Sequence, residues 1–266
     1  MYQLTYARGR EVTTPLKVWL DRDGTLLRLR LDRPKANIID GEMIAALDAA
    51  FAEHLDNGGL VAVLLDASGP HFSFGASVEE HLPEQCAEML KGLHALVRRM
   101  LQSPIPILIS IQGQCLGGGL EVAAAGNLLF AAPEAGLGQP EMQLGVFAPA
   151  ASCLLPERIG QSRAEDLLFS GRKVTGEEAA AIGLVDFVAD DPEAAALAYY
   201  DDHMAPKSAS SMRLAVRAAR DGYTERMITK LAAVETLYLK DLMATRDAVE
   251  GLEAFIAKRP ARWENR

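Results

Sequence analysis

Three consecutive glycines and a nearby acid, in GQCLGGGLEVAAAGN at residues 113–127, bring bare backbone beside a carboxylate. Gly117, Gly118 and Gly119 form a turn that opens a helix, so it offers free N–H groups and the positive end of a helix dipole. A phosphate would suit such a turn, but Glu121 would repel it. The Walker A pattern needs a lysine that is absent here. The dinucleotide fingerprint would put Val122 where its third small residue belongs. GASVE at 75–79 fails as a hydrolase elbow because Glu79 takes the last position. What fits is an oxyanion site. N–H groups aimed at a carbonyl oxygen stabilise an enolate, and losing one donor costs on the order of 10²–10³ in rate. The carboxylate then carries a proton or orients water. Taken alone, Glu121 also reads as a first-turn acid favoured by the dipole.

Glu121 has company. A second acid, Glu141, lies in LGQPEMQLGVFAPAASCLLPERIG at 137–160, before a loop and a helix start built from small residues. Upstream, PHFSFGASVEEHLP at 70–83 supplies another glycine–small turn. There is no H-E-x-x-H, and His54, His71, His81, His94 and His203 show no ligand spacing, so no metal is expected. Cys86, Cys115 and Cys153 are odd in number and lack C-x-x-C spacing, which reads as buried free thiols.

The elements that must hold these residues alternate. LKVWLDRDGTLLRLRL reads as a hairpin around Asp23-Gly24. Asp40 caps a helix carrying Met43, Ile44, Leu47, Phe51 and Leu55 at helical spacing. LVAVLLDASG and PILISIQG are apolar runs suited to strands buried on both faces. Between them CAEMLKGLHALVRRML is an amphipathic helix ended by Ser103-Pro104. Such βαβ alternation places active residues in loops beyond the strand ends. After Pro192 the pattern is helical and holds no convincing strand. The division expected is a core at 1–192 carrying the site and a helical region at 193–266. A tail of that kind packs on the body or on neighbouring subunits, so a homo-oligomer is predicted.

The chain has 266 residues, 49% of them hydrophobic, enough for one large α/β body. A net charge of −9 and the lack of a basic run argue against nucleic acid and anionic membranes as partners. No apolar run approaches the ~18 residues of a membrane span. The opening MYQLTYARGREVTTP lacks the apolar stretch of a secretory signal and reads as a loose leader on a cytoplasmic protein.

From about Leu16 to the C-terminus, the S-F-G-A-S loop, the L-G-G-G-L-E turn and the G-Q-P-E segment, in that order, resemble the crotonase (enoyl-CoA hydratase/isomerase) superfamily. The resemblance implies an α/β fold, a spiral of ββα units with a C-terminal helical oligomerisation region that builds trimers or dimers of trimers. It implies an acyl-CoA thioester substrate and no separate cofactor, coenzyme A being part of the substrate. The N–H groups of Ala76 and Gly118 match the family's oxyanion hole, with Gly117 beside them. Glu121 and Glu141 match the two glutamates of its hydratases. Lys258 in AFIAKRP stands where relatives contact the CoA adenine or phosphates, or is simply a solvated lysine.

The chain also departs from the general hydratase pattern. Ser77 replaces the usual Asp of G-A-D, and APAASCLLPERIG replaces a glycine-rich helix start, with Phe147 added beside it. The acyl pocket is therefore relined while both glutamates are retained. KVWLDRDG, RPKANIID, HFSFGASVEEHLP, GVFAPAASCLLP and EGLEAFIAKRPARWENR are most similar to a subfamily, the cyclohexa-1,5-diene-1-carbonyl-CoA hydratases of anaerobic aromatic degradation. That implies a hydro-lyase performing a 1,4-addition, with Glu121 at the water and Glu141 as donor; the residues themselves leave that order open. Phe74 and Phe147 read either as walls of a ring pocket or as ordinary core. A generalist enoyl-CoA hydratase or isomerase remains an alternative, which activity on crotonyl-CoA would reveal. So does a non-catalytic RNA- or CoA-binding relative; salt-sensitive RNA retention would reveal RNA binding.

Overall fold

The computed structural model describes residues 14–266, so the leader reading for the first residues lies outside the described part, apart from Thr14 and Pro15. The hairpin forms as read: β1 (Leu16–Asp21) and β2 (Leu26–Leu31) pair antiparallel, joined by a 3₁₀ turn at Arg22–Gly24. The Asp40 side chain accepts from the Met43 N–H and starts α1 (Gly41–His54). There follow β3 (Ala62–Ala67), α2 (Cys86–Leu101), β4 (Ile107–Ile111), β5 (Gln114–Leu116), α3 (Gly118–Ala124), β6 (Leu128–Ala131) and β7 (Gly136–Gly138). The remainder is α4 (Pro149–Ile159), α5 (Gln161–Ser170), β8 (Lys173–Val174), α6 (Gly176–Ala181), β9 (Phe187–Val188), α7 (Pro192–Tyr199), α8 (Ala209–Ala219), α9 (Tyr223–Lys240) and α10 (Arg246–Ile256).

The main sheet has the order β1-β2-β3-β4-β6-β9, parallel apart from the hairpin, and β5-β7-β8 form a second, smaller sheet. Both faces of the main sheet are covered, which is why its inner strands read as unbroken apolar runs. Leu27, Leu29, Val63, Leu65, Ile107 and Ile109 join the core that includes α1 and α2. Leu26, Leu64, Leu108 and Phe130 point the other way, onto Ala196, Tyr200 and Met204. The two faces follow from the two-residue period of a strand.

The helices after Pro192 add Met227, Leu231, Tyr238 and Leu252 to the main core, and α9 packs on α4 and α2. Cys86, Cys115 and Cys153 are free and buried, and burial raises the pKa of each thiol. Among the described residues no helix is long and apolar enough to cross a membrane, and none of their His, Cys, Asp and Glu side chains cluster as a metal site would require.

Candidate active site

Two turns meet to make the site. The loop after β3 is stitched down by the buried Asn37, whose Nδ2 donates to the carbonyls of Ser68 and His71 at 2.9 Å each. The Ile39 N–H donates to the Gly75 carbonyl at 2.9 Å, and the Leu116 N–H donates to the Ser73 carbonyl at 3.0 Å. The loop therefore runs beside β5, which leads into the glycine turn. Gly75 (φ 112°) and Gly117 (φ 49°) hold backbone conformations that L side chains avoid.

These bends bring together two backbone donors that are distant in sequence. A Cβ on Gly118 would lie 3.0 Å from the Ala76 nitrogen. Gly118 is the first residue of α3, where an N–H has no partner within the helix. The Ala76 N–H makes no backbone hydrogen bond among the described residues. Both residues border a cavity of about 570 Å³ that Glu121 and Glu141 also line.

The carboxyl groups approach that cavity from different supports. Glu121 sits in the first turn of α3 at 3% exposure, and its Oε1 accepts from the Ala151 N–H at 2.9 Å. Ala151 belongs to the first turn of α4, so a helix N-terminus stabilises the carboxylate form. Glu141 rides a 3₁₀ turn, Pro140–Leu144. Its Oε1 lies so close to the glycine turn that a Cβ on Gly117 would be 2.7 Å away. Gln139, 1% exposed, sets its amide 3.0 Å from both Glu141 oxygens. Its NH₂ suits a carboxylate there, and its carbonyl suits the acid form.

Residues 21–266 match the family described as Enoyl-CoA hydratase/isomerase. The chain belongs to that family. It is 68% identical over 256 residues to the cyclohexa-1,5-dienecarbonyl-CoA hydratase of Thauera aromatica, covering 96% of this chain and 99% of that one. It is 30% identical to the carnitinyl-CoA dehydratase of Salmonella arizonae, over 92% of this chain and 97% of the relative. A crystal structure of an enoyl-CoA hydratase/isomerase from Xanthobacter autotrophicus Py2 superposes with a TM-score of 0.82 at 25% identity, covering 94% of this chain and 98% of that one.

The two carboxyl groups that share the cavity also share an electrostatic setting. Burial raises the pKa of both glutamates. The charge of Glu121 raises Glu141 further, while the N–H groups of Ala151 and Ala150 hold Glu121 down. The pair as a whole is thereby held toward its protonated forms. Because both acids are protonated more readily in the folded chain, their stability contribution is full below the ordinary glutamate value of 4.5. It is lost as pH rises from there through neutrality. Glu141→Gln should accordingly be more stable than wild type at pH 8, by on the order of 2–3 kcal/mol, with little difference at pH 4. Thermal unfolding at the two pH values checks this.

The other residues singled out from sequence divide. Phe74, Ser77, Gly117 and Phe147 line the cavity. Phe74 is 44% exposed and meets His71 edge-on, whereas Phe147 packs edge-on against Tyr238. The Ser77 hydroxyl donates to Glu79 Oε2 at 3.2 Å, within its own turn. Lys258 is exposed beyond α10 and is not among the lining residues, although Phe255 is. Sequence reading missed Gln139, Leu90, Leu93, Leu252 and His81. His81 lines the cavity with its Nδ1 donating to the Ser77 carbonyl at 2.6 Å, which leaves Nε2 as an acceptor. Its position six residues after Gly75, in the loop that carries the oxyanion donor, was the available signal.

Proposed function

We propose that the protein hydrates cyclohexa-1,5-diene-1-carbonyl-CoA to 6-hydroxycyclohex-1-ene-1-carbonyl-CoA, in the anaerobic degradation of aromatic acyl thioesters. The observation that carries this reading is the buried Glu121 carboxyl group and the partly buried Glu141 carboxyl group beside two unpaired N–H donors in one cavity. The 68% identity to the Thauera aromatica hydratase supports the choice of substrate.

Glu121, ionised, takes a proton from water as the hydroxide equivalent adds to ring carbon C2. Negative charge spreads through the thioester and is received by the N–H groups of Ala76 and Gly118. Glu141 delivers its proton to C5, across the ring from C2, and the remaining double bond moves to C1–C6. Two groups of one chemical type serve as base and acid because their surroundings separate their affinities for the proton. Hydration neither oxidises nor reduces the ring, so no cofactor beyond the substrate's own coenzyme A is required.

Phe74 and Phe147 serve as walls for the flat ring, and Lys258 reaches the CoA phosphates. The exposed apolar side chains Leu214, Leu237, Phe255 and Ile256 favour a homo-oligomer, a trimer or a dimer of trimers, working in the cytoplasm. Purified protein mixed separately with the cyclic dienoyl-CoA and with crotonyl-CoA tests the assignment by chromatography and mass. The diene should gain one water at a rate well above crotonyl-CoA. Comparable rates would make the protein a general hydratase.

A further inference from the structure

Gln139 is a buried polar side chain that follows directly on β7. The residue before it, Gly138, accepts from the Gly117 N–H at 3.0 Å, so the pairing of β5 with β7 fixes Gln139 against the glycine turn. Two residues further on stands Glu141, in the 3₁₀ turn. With its NH₂ end toward Glu141, the Gln139 nitrogen lies 3.0 Å from each carboxyl oxygen. Burying an amide is costly unless it is hydrogen-bonded, and Glu141 supplies that partner. An acid accepts either end of an amide, but a carboxylate accepts only the NH₂ end.

The two glutamates differ in what supports their ionised forms. Glu121 has the Ala151 N–H at the start of α4. Burial and the charge of Glu121 both oppose a charge on Glu141. Among the described residues, only its own N–H and the amide of Gln139 are placed to support one. A donor set against both oxygens takes one lone pair of each and leaves the others for the cavity that Glu141 lines. The bond is also about twice as strong to a carboxylate as to the neutral acid. It therefore tightens as the proton leaves, which is the condition for lowering a barrier.

We propose that Gln139 is the positioning residue of the proton donor, its NH₂ group holding the Glu141 carboxylate as that carboxylate forms. The inference rests on the hydration reading above. In the step, the O–H bond of Glu141 breaks and the C5–H bond of the ring forms, leaving the negative charge on Glu141. Gln139 exchanges no proton; it keeps the carboxyl group aimed and receives its charge.

Two variants test this, with kcat measured against pH on the cyclic dienoyl-CoA. Gln139→Met removes the amide at similar length, and Gln139→Glu keeps the shape while replacing the donor. In Gln139→Met the kcat at the optimum should fall about tenfold with KM little changed. The basic limb of the profile, which belongs to the pair, should move up by about one pH unit or more, because the ionised form has lost its donor. Gln139→Glu should move it further, since a like charge then stands beside Glu141. A basic limb that stays in place in both variants overturns the assignment, even with a lowered kcat, because the role would then be structural. Melting without substrate supplies a second reading. The Tm deficit of Gln139→Met should be larger at pH 9, where the ionised form has lost its donor, than at pH 5. Equal deficits overturn the assignment. Should wild type itself fail to hydrate the diene, the hydration reading falls separately, and the melting comparison still decides whether Gln139 holds the ionised Glu141.

Discussion

Glu121→Gln and Glu141→Gln each lower the hydration rate by about 10³–10⁴-fold, and the double variant is little worse than either single one. Both substitutions keep shape and hydrogen-bonding capacity while removing the ability to carry a proton, which is the property the mechanism uses. Gln at 121 still accepts from the Ala151 N–H at the start of α4, so the fold at the site persists. Gln at 141 removes the proton that must reach C5. Near-equal loss in single and double variants follows when two groups act in one step, since removing either leaves the other without its partner. Rates strictly multiplying in the double variant would mean that the carboxyls act in separate events. The check is single-turnover kinetics on the three variants, with far-ultraviolet circular dichroism to verify folding.

Gly118→Pro, compared with Gly118→Ala, isolates the oxyanion donor. Gly118 is the first residue of α3, the one helical position where proline is well tolerated because its missing N–H has no partner in the helix. Both variants add a Cβ 3.0 Å from the Ala76 nitrogen and Cβ, a tight fit that alone lowers activity. Only proline also deletes the donor. The expected outcome is a kcat for the proline variant about 10²–10³ below that of the alanine variant, the usual weight of one oxyanion donor. Equal activities would remove Gly118 from the oxyanion site.

Much of the frame was legible because it rests on local signals. The Asp23-Gly24 hairpin, the Asp40 cap and the α2 span from Cys86 to Leu101 come from turn chemistry and periodicity within one element. The glycine turn with Glu121 was legible for the same reason, being a short stretch that explains little unless it binds something. The strands β5, β7, β8 and β9 were not read, since they have two or three residues each and are defined by their partners. Glu141 was read as an acid before a loop; its 3₁₀ turn and its nearness to Gly117 exist only once β5 and β7 pair. Leu90, Leu93 and Leu252 carry ordinary core spacing, and nothing local says that they face a cavity. Gln139 next to Pro140, and Tyr238 within a helix, gain meaning only from what the fold sets against them.

The most direct test of the account is the incubation with cyclohexa-1,5-diene-1-carbonyl-CoA carried out in D₂O, with the product read by NMR. Water at C2 and a proton from Glu141 at C5 would leave one deuterium on the ring carbon opposite the hydroxyl-bearing carbon, which is C3 in the product's numbering. Deuterium at the carbon bearing the thioester, or no hydrated product at all, would contradict it.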